Sequence, residues 1–424
     1  MLPLLPAALP AALPVARTAP EARGVLDALA AGGAEARFVG GCVRDALLGR
    51  PLRDLDIATD APPGRVTELL RGAGLKVVPT GIEHGTVTAI SGGRPFEITT
   101  LRRDVETDGR RAVVAFTDDW REDAARRDFT MNAMSLSSDG TLHDYFGGAG
   151  DARAGLVRFV GDPELRIRED VLRILRFFRF QAHYGRTSPD ETGLRACASL
   201  AGLLPALSGE RVRTELLRLL EAGDPAPVWR LMTEQGVLAP LLPEASDISR
   251  LEAMVGLERA EGRGEDRGEG RGPDALRRLA ALLPDSLATA ADVAERLKLS
   301  NRDRDRLGAL AQPPVEVRPA SDGTDNRRAL RRVGAERFVD HVLMAAATQR
   351  LDHGAIEPAM ALAATWRPVT FPLKGRDLLK RGVAPGPDLG RLLAGIEAWW
   401  EEHDYRPGRD ACLGELDRRL GRAP

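Results

Sequence analysis

The hydrophobic pattern of the chain changes near residue 150, and this change limits the possible folds more than any other feature. Before that point, short segments such as VTAI and FEITTLR alternate apolar and polar side chains, which is typical of half-buried β-strands. Beyond it, apolar residues recur every three or four positions, beginning with ELRIREDVLRILRFFRFQAHYG, which is typical of amphipathic helices. The sequence therefore predicts an α+β protein in which a mixed β-sheet precedes an all-helical remainder.

Length and charge leave few protein classes open. The chain has 424 residues, a formal net charge of −2 and three widely separated cysteines. No segment has the ~18 consecutive apolar residues of a membrane span. We therefore expect a soluble protein of about two to four domains without a disulfide framework. The overall charge does not indicate a nucleic-acid partner, but residues 153–186 contain eight arginines against four acidic residues.

Two aspartates form the first candidate site. Asp54 and Asp56 lie one residue apart in LRDLDIAT, which is predicted to be a strand. Side chains at positions i and i+2 of a strand project from the same face. Two carboxylates there repel each other unless a cation lies between them, and such oxygen ligands suit Mg²⁺. Alone, the pair would more often be a solvated strand edge, but together with the glycines and arginine before it, it predicts a metal site for attack on a phosphate.

The segment before these aspartates is suited to bind phosphate. Gly40 and Gly41 end a short strand just before the predicted helix VRDALLG, and glycines there let backbone N–H groups approach an anion. Arg44 lies in the first turn of that helix and can donate to the same anion. The segment lacks the GK[ST] of a Walker loop and the third glycine of a Rossmann fingerprint.

A third carboxylate is predicted from strand alternation. Glu97 alternates with Phe96 and Ile98 in FEITTLR, so it projects from the opposite face to these two apolar residues. If this strand neighbours that of Asp54 and Asp56, Glu97 joins them. Otherwise it is an exposed strand residue.

The segment RRDFTMNAM offers an arginine beside an aspartate. Arg127 can hold a triphosphate. Asp128 precedes a predicted helix start, so it either caps that helix or belongs to the site.

The helical segment EDVLRILRFFRF carries charges at a spacing of three, with Asp170, Arg173, Arg176 and Arg179 opposite an apolar side. A solvated helix face is the simpler interpretation. The alternative is that Asp170 and Arg173, one turn apart, recognise a base. A carboxylate accepts from an exocyclic amine and a guanidinium donates to a ring acceptor. Cytosine and adenine have an amine beside a ring nitrogen acceptor, so the pair would favour CTP and ATP.

Four blocks, GGCVRDALLG, DLD, RRDFTMNA and EDVLRILRFFRF, follow one another in this order. Together they resemble the bacterial and mitochondrial type of CCA-adding tRNA nucleotidyltransferase, whose family includes bacterial poly(A) polymerases and belongs to the polymerase β superfamily. The resemblance is dense over residues 24–225 and looser beyond. It implies an N-terminal nucleotidyltransferase head followed by helical neck, body and tail domains.

The resemblance and the pattern together suggest domain bounds. The expected divisions are a disordered extension at 1–22, a head at 23–150, a neck at 151–225, a body at 226–330 and a tail at 331–424. Within the body, residues 258–273 are rich in glycine and charge, so a flexible surface insertion is expected there.

The resemblance also implies a role for each candidate residue. Asp54 and Asp56 would bind Mg²⁺. The implied nucleotide-binding residues are Gly41, Arg44 and Arg127 for the triphosphate, Asp170 and Arg173 as the template for C or A, Glu169 as their support, and Arg176 and Arg179 as further contacts. Strand alternation alone adds Glu97 as a catalytic candidate, and the glycine turn adds Gly40 to the nucleotide-binding residues.

The implied reaction is the template-independent addition of CCA to tRNA from CTP and ATP, with Mg²⁺ as cofactor and pyrophosphate as product. Residues 101–116 resemble the flexible loop of family members that add the terminal A. The alternatives are a bacterial poly(A) polymerase and a catalytically silent RNA-binding relative. We expect tRNA lacking CCA as partner and the cytoplasm as compartment, whereas the sequence does not predict an oligomeric state.

Overall fold

The computed structural model describes residues 20–52, 54–82, 85–107, 112–261, 273–321 and 323–422. The chain divides into two compact units, Met1–Pro243 and Glu244–Pro424. Every strand of the described residues lies in the first unit, and the second unit is built from helices. The predicted α+β class, with a mixed sheet before a helical remainder, is therefore confirmed.

The elements of the first unit follow one another along the chain as the sequence pattern indicates. Its strands β1 to β9 are Ala36–Val39, Asp56–Thr59, Lys76–Gly81, Thr86–Ser91, Arg94–Thr100, Arg102–Thr107, Ala112–Phe116, Met134–Ser137 and Leu142–Asp144. Its helices α1 to α10 are Pro20–Ala31, Gly41–Leu47, Pro63–Gly72, Trp120–Ala125, Gly148–Ala154, Pro163–Glu169, Arg173–Tyr184, Glu191–Ser199, Gly209–Leu220 and Ala226–Glu234. Two 3₁₀ helices cover Thr130–Asn132 and Ala201–Ala206.

Seven of the strands form one mixed sheet in the order β3-β4-β5-β2-β1-β8-β9. Strands β2 and β5 pair in parallel, and the other neighbours pair antiparallel. Alternation fixes which face each side chain takes, so Phe96 and Ile98 of β5 are buried and Glu97 between them is exposed. The parallel pair brings the start of β2 beside the middle of β5.

Helix α1 covers Pro20–Ala31, with proline at its first position, where the missing N–H costs no helical hydrogen bond. Its buried residues Ala22, Val25, Leu26 and Leu29 recur at helical spacing and form one apolar face. Helix α1 packs against β4 and α3. Residues 20–22 therefore belong to the sheet-containing unit, whereas we had placed them in the extension. The rest of that extension lies outside the described residues.

The strand predicted over LRDLDIAT is shorter than expected. Strand β2 begins at Asp56, so Asp54 lies ahead of the strand, where it is exposed. The prediction that both aspartates project from one strand face is therefore wrong. Residues 57–59 pair with strands on both sides and Asp56 pairs with β5, whereas Asp54 has no place in either register.

The long helix predicted from Glu164 is broken at its charged centre. Helix α6 ends at Glu169, and Asp170 adopts an extended conformation with φ −150° and ψ 104°. Helix α7 then begins at Arg173. Asp170 and Arg173 therefore do not share one helical face, and the predicted ladder of four charges on one helix is wrong at its first member.

The second unit contains nine helices within its described residues. Helices α11 to α19 are Ser249–Glu261, Ala275–Leu282, Leu287–Arg296, Asn301–Ala311, Thr324–Gln349, His353–Thr365, Gly375–Lys380, Pro387–Glu402 and Arg409–Arg419. Helix α15 spans residue 330, where we had expected the body to end, and it is interrupted at Gly334 with φ 79° and ψ 164°. The last three helices share an apolar cluster that includes Leu378, Trp400 and Leu416.

The predicted insertion begins inside a helix. Helix α11 continues to Glu261, and residues 262–272 lie outside the described residues. Glu258 is only 7% exposed and pairs with the buried Arg277 and Arg278 at 2.9 and 2.7 Å. The expectation that no residue of 258–273 enters a core is therefore wrong for Glu258, because two buried guanidinium groups compensate its charge.

Candidate active site

Asp56 lies at the first position of β2, in register with Glu97 of the parallel strand β5. The strands of Glu97 and Asp56 are therefore neighbours, which is the condition under which Glu97 was expected to join the aspartates. The pKa of Asp56 is raised by burial and further by the negative charges of Glu97 and Asp54, while Arg127 opposes the increase. A divalent cation would relieve this repulsion, so the residues fit a metal site.

The candidate metal site has fewer acidic ligands than a triad of carboxylates. Within the ranges that the structure describes, no three histidine, cysteine or acidic side chains form a group that would hold a metal. Asp54 and Asp56 thus remain the candidate ligands, as predicted, and Glu97 acts on Asp56 through its charge.

A tight turn joins β1 to α2 at the two glycines. Gly40 has φ +73°, a conformation that favours glycine. A Cβ atom at Gly40 would lie 2.8 Å from Arg127 Nη1, and one at Gly41 would lie 3.6 Å from Arg44 Nη2. The turn therefore passes directly beside both arginines that were predicted to hold the triphosphate.

Arg44 is buried and held in a single orientation. Its Nη1 donates to Asn132 Oδ1 at 2.6 Å, and its Nε and Nη2 donate to the Asp45 carboxylate at 2.9 Å. Its guanidinium carbon lies 4.1 Å from the centre of the Tyr184 ring, a favourable cation–π distance. Arg44 is therefore preorganised rather than mobile.

Arg127 is positioned by an acid that the sequence did not indicate. Its Nη2 donates to Asp123 at 3.3 Å, and Arg126 donates to the same carboxylate at 2.7 and 2.9 Å. Burial alone raises the pKa of Asp123, but Arg127 and Arg126 together lower it below its usual value. Asp123 is thus an ionised anchor for two adjacent arginines.

Asp128 neither caps a helix nor projects into open solvent. Its Oδ1 accepts from the Phe129 N–H at 2.8 Å and from Asn132 Nδ2 at 3.0 Å, and its Oδ2 accepts from Arg176 Nε at 2.8 Å. The residue that follows, Phe129, takes the cap position of a short 3₁₀ helix. Asp128 therefore links helix α7 to the segment that also holds Arg44.

Asp170 and Arg173 are close in sequence but have different partners. Arg211 Nη2 donates to Asp170 Oδ1 and Oδ2 at 2.9 and 2.8 Å. Arg173 Nη1 donates to Glu169 at 2.6 Å and to the Arg166 carbonyl at 2.8 Å. Glu169 thus holds Arg173, as the resemblance implied, and the orientation of Asp170 is set by Arg211.

The two remaining arginines of α7 are paired with acids. Arg176 binds Asp128, and Arg179 Nε donates to Glu215 Oε2 at 2.5 Å. Burial alone lowers the pKa of Arg176, but Asp128 and Glu215 raise it above its usual value. Both side chains are therefore held in place by carboxylates.

These elements enclose a cavity of about 630 Å³. Eight predicted residues line it: Gly40, Gly41, Arg44, Asp56, Arg127, Asp170, Arg173 and Arg176. Asp54, Glu97, Glu169 and Arg179 are not among its lining residues. Seven arginines and three aspartates contribute to the lining, so the cavity suits an anionic ligand such as a nucleotide.

Comparisons with known proteins agree with this geometry. The description "Poly A polymerase head domain" matches residues 36–158, and "Probable RNA and SrmB- binding site of polymerase A" matches residues 188–248. The mitochondrial CCA tRNA nucleotidyltransferase 1 of Mus musculus is 34% identical over 91% of this chain and 87% of its own. The CCA-adding enzyme of Levilactobacillus brevis is 34% identical over 89% of this chain and 92% of its own.

The chain belongs to the family of CCA-adding tRNA nucleotidyltransferases and poly(A) polymerases. The fold agrees with this assignment. The crystal structure of the Bacillus stearothermophilus CCA-adding enzyme in complex with CTP superposes with a TM-score of 0.76 and 28% identity, over 95% of this chain and 97% of that one.

In this family member, the residues that sequence reasoning missed are those that hold the predicted ones in place. Asn132 and Asp123 accept hydrogen bonds from the predicted residues Arg44 and Arg127. Arg211 donates to the predicted residue Asp170. Arg211 lies in SGERVRTELL, outside the four blocks that carry most of the predicted site residues. Arg211 is the third residue of helix α9, and arginine is too abundant in this sequence for a single one to identify a site.

Residues 101–116 resemble the flexible loop of family members that add the terminal A. Most of this segment forms two paired strands in this chain. Strands β6 and β7 pair antiparallel from Arg102↔Phe116 to Thr107↔Ala112. Residues 108–111, at the tip, lie outside the described residues. Among the described helices, none is long and apolar enough to span a membrane.

Proposed function

We propose that this chain adds CCA to the 3′ end of tRNA by transferring CMP, CMP and AMP in turn from CTP and ATP. The observation that carries this proposal is one arginine-lined cavity whose lining also contains Asp56, Asp170 and the Asp170 partner Arg211. A relative of known structure binds CTP, and the mitochondrial and bacterial relatives are CCA-adding enzymes. We also propose a head, neck, body and tail in the predicted order, with residues 20–22 in the head and with the bounds moved off residues 150 and 330, which lie inside helices α5 and α15.

Asp54 and Asp56 would hold Mg²⁺. When bound, this ion would supply charge that favours attack of the tRNA 3′-hydroxyl on the α-phosphate and departure of pyrophosphate. The raised pKa of Asp56 arises from burial and from its acidic neighbours, which is the environment in which carboxylates bind a cation most favourably. Glu97 would strengthen this effect from the adjacent strand.

Arg44 and Arg127 would bind the triphosphate at the glycine turn. Both are oriented before the substrate arrives, by Asp45, Asn132 and Asp123. Preorganised donors stabilise charge that develops on the leaving group without a reorganisation cost during the reaction. The absence of a side chain at Gly40 leaves the room that Arg127 occupies.

Asp170 and Arg173 would select the base. Three contacts, to Glu169 and to the carbonyls of Arg166 and Arg126, occupy three of the five N–H donors of Arg173. Two donors remain for a ring nitrogen. Asp170 would accept from the exocyclic amine of cytosine or adenine.

One assay separates this function from its two alternatives. The protein is incubated with Mg²⁺, tRNA that lacks its CCA end, and each labelled nucleotide alone or in combination. We expect CMP incorporation with CTP alone and a complete CCA end with CTP and ATP. A long A-only product on unrelated RNA would identify a poly(A) polymerase, and no Mg²⁺-dependent incorporation would identify a catalytically silent RNA-binding relative.

Replacing Asp54 tests the metal assignment. Asp54→Asn should lower the rate of CMP incorporation more than about 100-fold, because even groups outside the ligand shell change metal-dependent activity 10- to 100-fold. Asp139→Asn is the matched control, since Asp139 is exposed and accepts only within its own turn, from the Thr141 N–H. Near-normal turnover by Asp54→Asn would rule out this assignment.

Replacing Arg173 tests the base-reading role. Arg173→Ala should reduce discrimination against UTP and GTP more than it weakens tRNA binding. Arg168→Ala serves as control, because Arg168 is 57% exposed and reaches only Glu164, at 4.0 Å. Unchanged discrimination in Arg173→Ala would contradict the proposed role.

A further inference from the structure

The Asp170 carboxylate is almost fully occupied by groups of the chain itself. Arg211 Nη2 lies 2.9 Å from Oδ1 and 2.8 Å from Oδ2, so one nitrogen faces both oxygens. The Leu172 backbone N–H donates to Oδ1 at 3.1 Å. Asp170 follows the end of helix α6 in an extended conformation, which turns its side chain towards helix α9 and Arg211.

Counting acceptor positions shows what remains for a ligand. A carboxylate has about four lone-pair positions, two on each oxygen. Arg211 and the Leu172 N–H use both positions of Oδ1, and Arg211 uses one position of Oδ2. A single acceptor position on Oδ2 is left, on the side away from Arg211.

The single acceptor position left on Asp170 distinguishes bases by the number of hydrogen-bond donors that lie side by side on the base edge. Cytosine and adenine each have one exocyclic amine beside a ring nitrogen that accepts. Guanine has a ring N–H beside an exocyclic amine, two donors whose spacing matches the two oxygens of a free carboxylate. A bidentate contact of this kind needs the region between Oδ1 and Oδ2, which Arg211 occupies.

We propose that Arg211 is a specificity-determining residue that excludes guanine by blocking bidentate recognition through Asp170. The inference rests on the proposed function, because it assumes that Asp170 receives the base edge. Arg211 acts on the base through Asp170 and is thus a positioning residue. It also leaves Asp170 able to accept one amine, which cytosine and adenine supply.

The location of the pair is compatible with this role. Asp170 and Arg211 both line the cavity, beside Leu172 and Arg173. Their side chains are 32% and 43% exposed, so a ligand can reach the free side of the carboxylate. Removing an exposed guanidinium at this position leaves the buried face of helix α9 intact.

Equilibrium binding of labelled CTP, ATP, GTP and UTP with Mg²⁺ tests the proposal on the full chain. In Arg211→Ala, the ratio of the GTP to the CTP dissociation constant should fall about ten-fold or more, which is the value of a good bidentate base contact. The corresponding ratio for UTP should change much less, because uracil has a single ring N–H and no amine. Arg211→Lys should keep the wild-type ratios, since one ammonium group can face both oxygens.

Arg168→Ala should also keep the wild-type ratios, because Arg168 is exposed and lies outside the cavity lining. A merely structural role for Arg211 would weaken all four nucleotides equally, and that result would overturn the proposal. Equal gains for GTP and UTP would overturn it as well, and so would a wild-type chain that binds all four nucleotides alike. Nucleotide binding does not require transfer to tRNA, so a failure of the proposed CCA addition would appear separately, as a wild-type chain that discriminates between nucleotides and yet adds none.

Discussion

Changing Asp128 to asparagine should destabilise the first unit while keeping the size of the side chain. Asp128 is 9% exposed and accepts four hydrogen bonds, two from Arg176 and one each from the Phe129 N–H and Asn132. The substitution removes the nearer of the two carboxylates that compensate the Arg176 guanidinium, leaves only Glu215 at 3.7 Å as the other, and places an amide donor opposite the guanidinium. Arg176 lines the cavity, so nucleotide binding should weaken together with stability.

The magnitude follows from the burial of the two partners. Removing one partner of a buried ion pair costs about 3–5 kcal/mol. The Arg176 side chain is 30% exposed, so water partly replaces the lost carboxylate, and we expect a loss near the lower value, about 3 kcal/mol. With an m-value of about 3 kcal/mol/M in urea, the unfolding midpoint of the first unit should fall by about 1 M.

The pH dependence gives a second, independent measurement. Burial alone raises the pKa of Asp128, but Arg176, Asn132 and the Phe129 N–H together lower it below its usual value. A carboxyl group with a lowered folded-state pKa contributes stability above its unfolded pKa of about 3.9 and loses it as the pH falls through the folded value. The free energy of unfolding of the wild type should therefore exceed that of Asp128→Asn by a constant amount between about pH 5 and 7. The difference should become smaller only below about pH 4.

Urea unfolding followed by fluorescence, with CTP binding measured in parallel, provides the assay. Asp162→Asn is the matched control, because Asp162 is exposed and caps helix α6 through the Leu165 N–H, a position where asparagine serves equally well. A midpoint shift for Asp128→Asn as small as that of the control would refute the reasoning. If the stability difference between the wild type and Asp128→Asn changed between pH 5 and 7, the assignment of Asp128 as ionised over that range would be refuted.

Three further predictions concern other parts of the chain. Glu258→Gln should cost about 3–5 kcal/mol in the second unit, because it removes the buried carboxylate that pairs with both Arg277 and Arg278; thermal unfolding measures this, and exposed Glu336→Gln should have almost no effect. Gly40→Ala should raise the KM for CTP and cost about 1–3 kcal/mol from its backbone conformation alone, φ 73° and ψ −127°, and an unchanged KM would show that the glycine turn does not bind the triphosphate. A chelator should stop CMP incorporation without lowering the unfolding temperature, and added Mg²⁺ should restore the rate; incorporation that persists in the chelator would exclude a metal-dependent reaction.

The fold class and most of the cavity could be predicted from sequence because they depend on local patterns. Alternation with period two identified the strand of Glu97, and the glycines and Arg44 have a fixed spacing along the chain. Helical periodicity, however, continued through residues 170–172 without a break. The interruption there depends on contacts that Arg211, Leu172 and the Arg126 carbonyl make in three dimensions.

By itself, the sequence predicted which residues would carry the chemistry, since carboxylates, glycines and arginines at those spacings have few other uses in combination. Tertiary structure alone decided which groups hold them. It placed Asp56 in register with Glu97, and it brought Arg211, 41 residues along the chain, onto Asp170. The physical reason is that a strand register and an ion pair between distant helices depend on the packing of whole elements, whereas a motif depends only on its immediate neighbours in the chain.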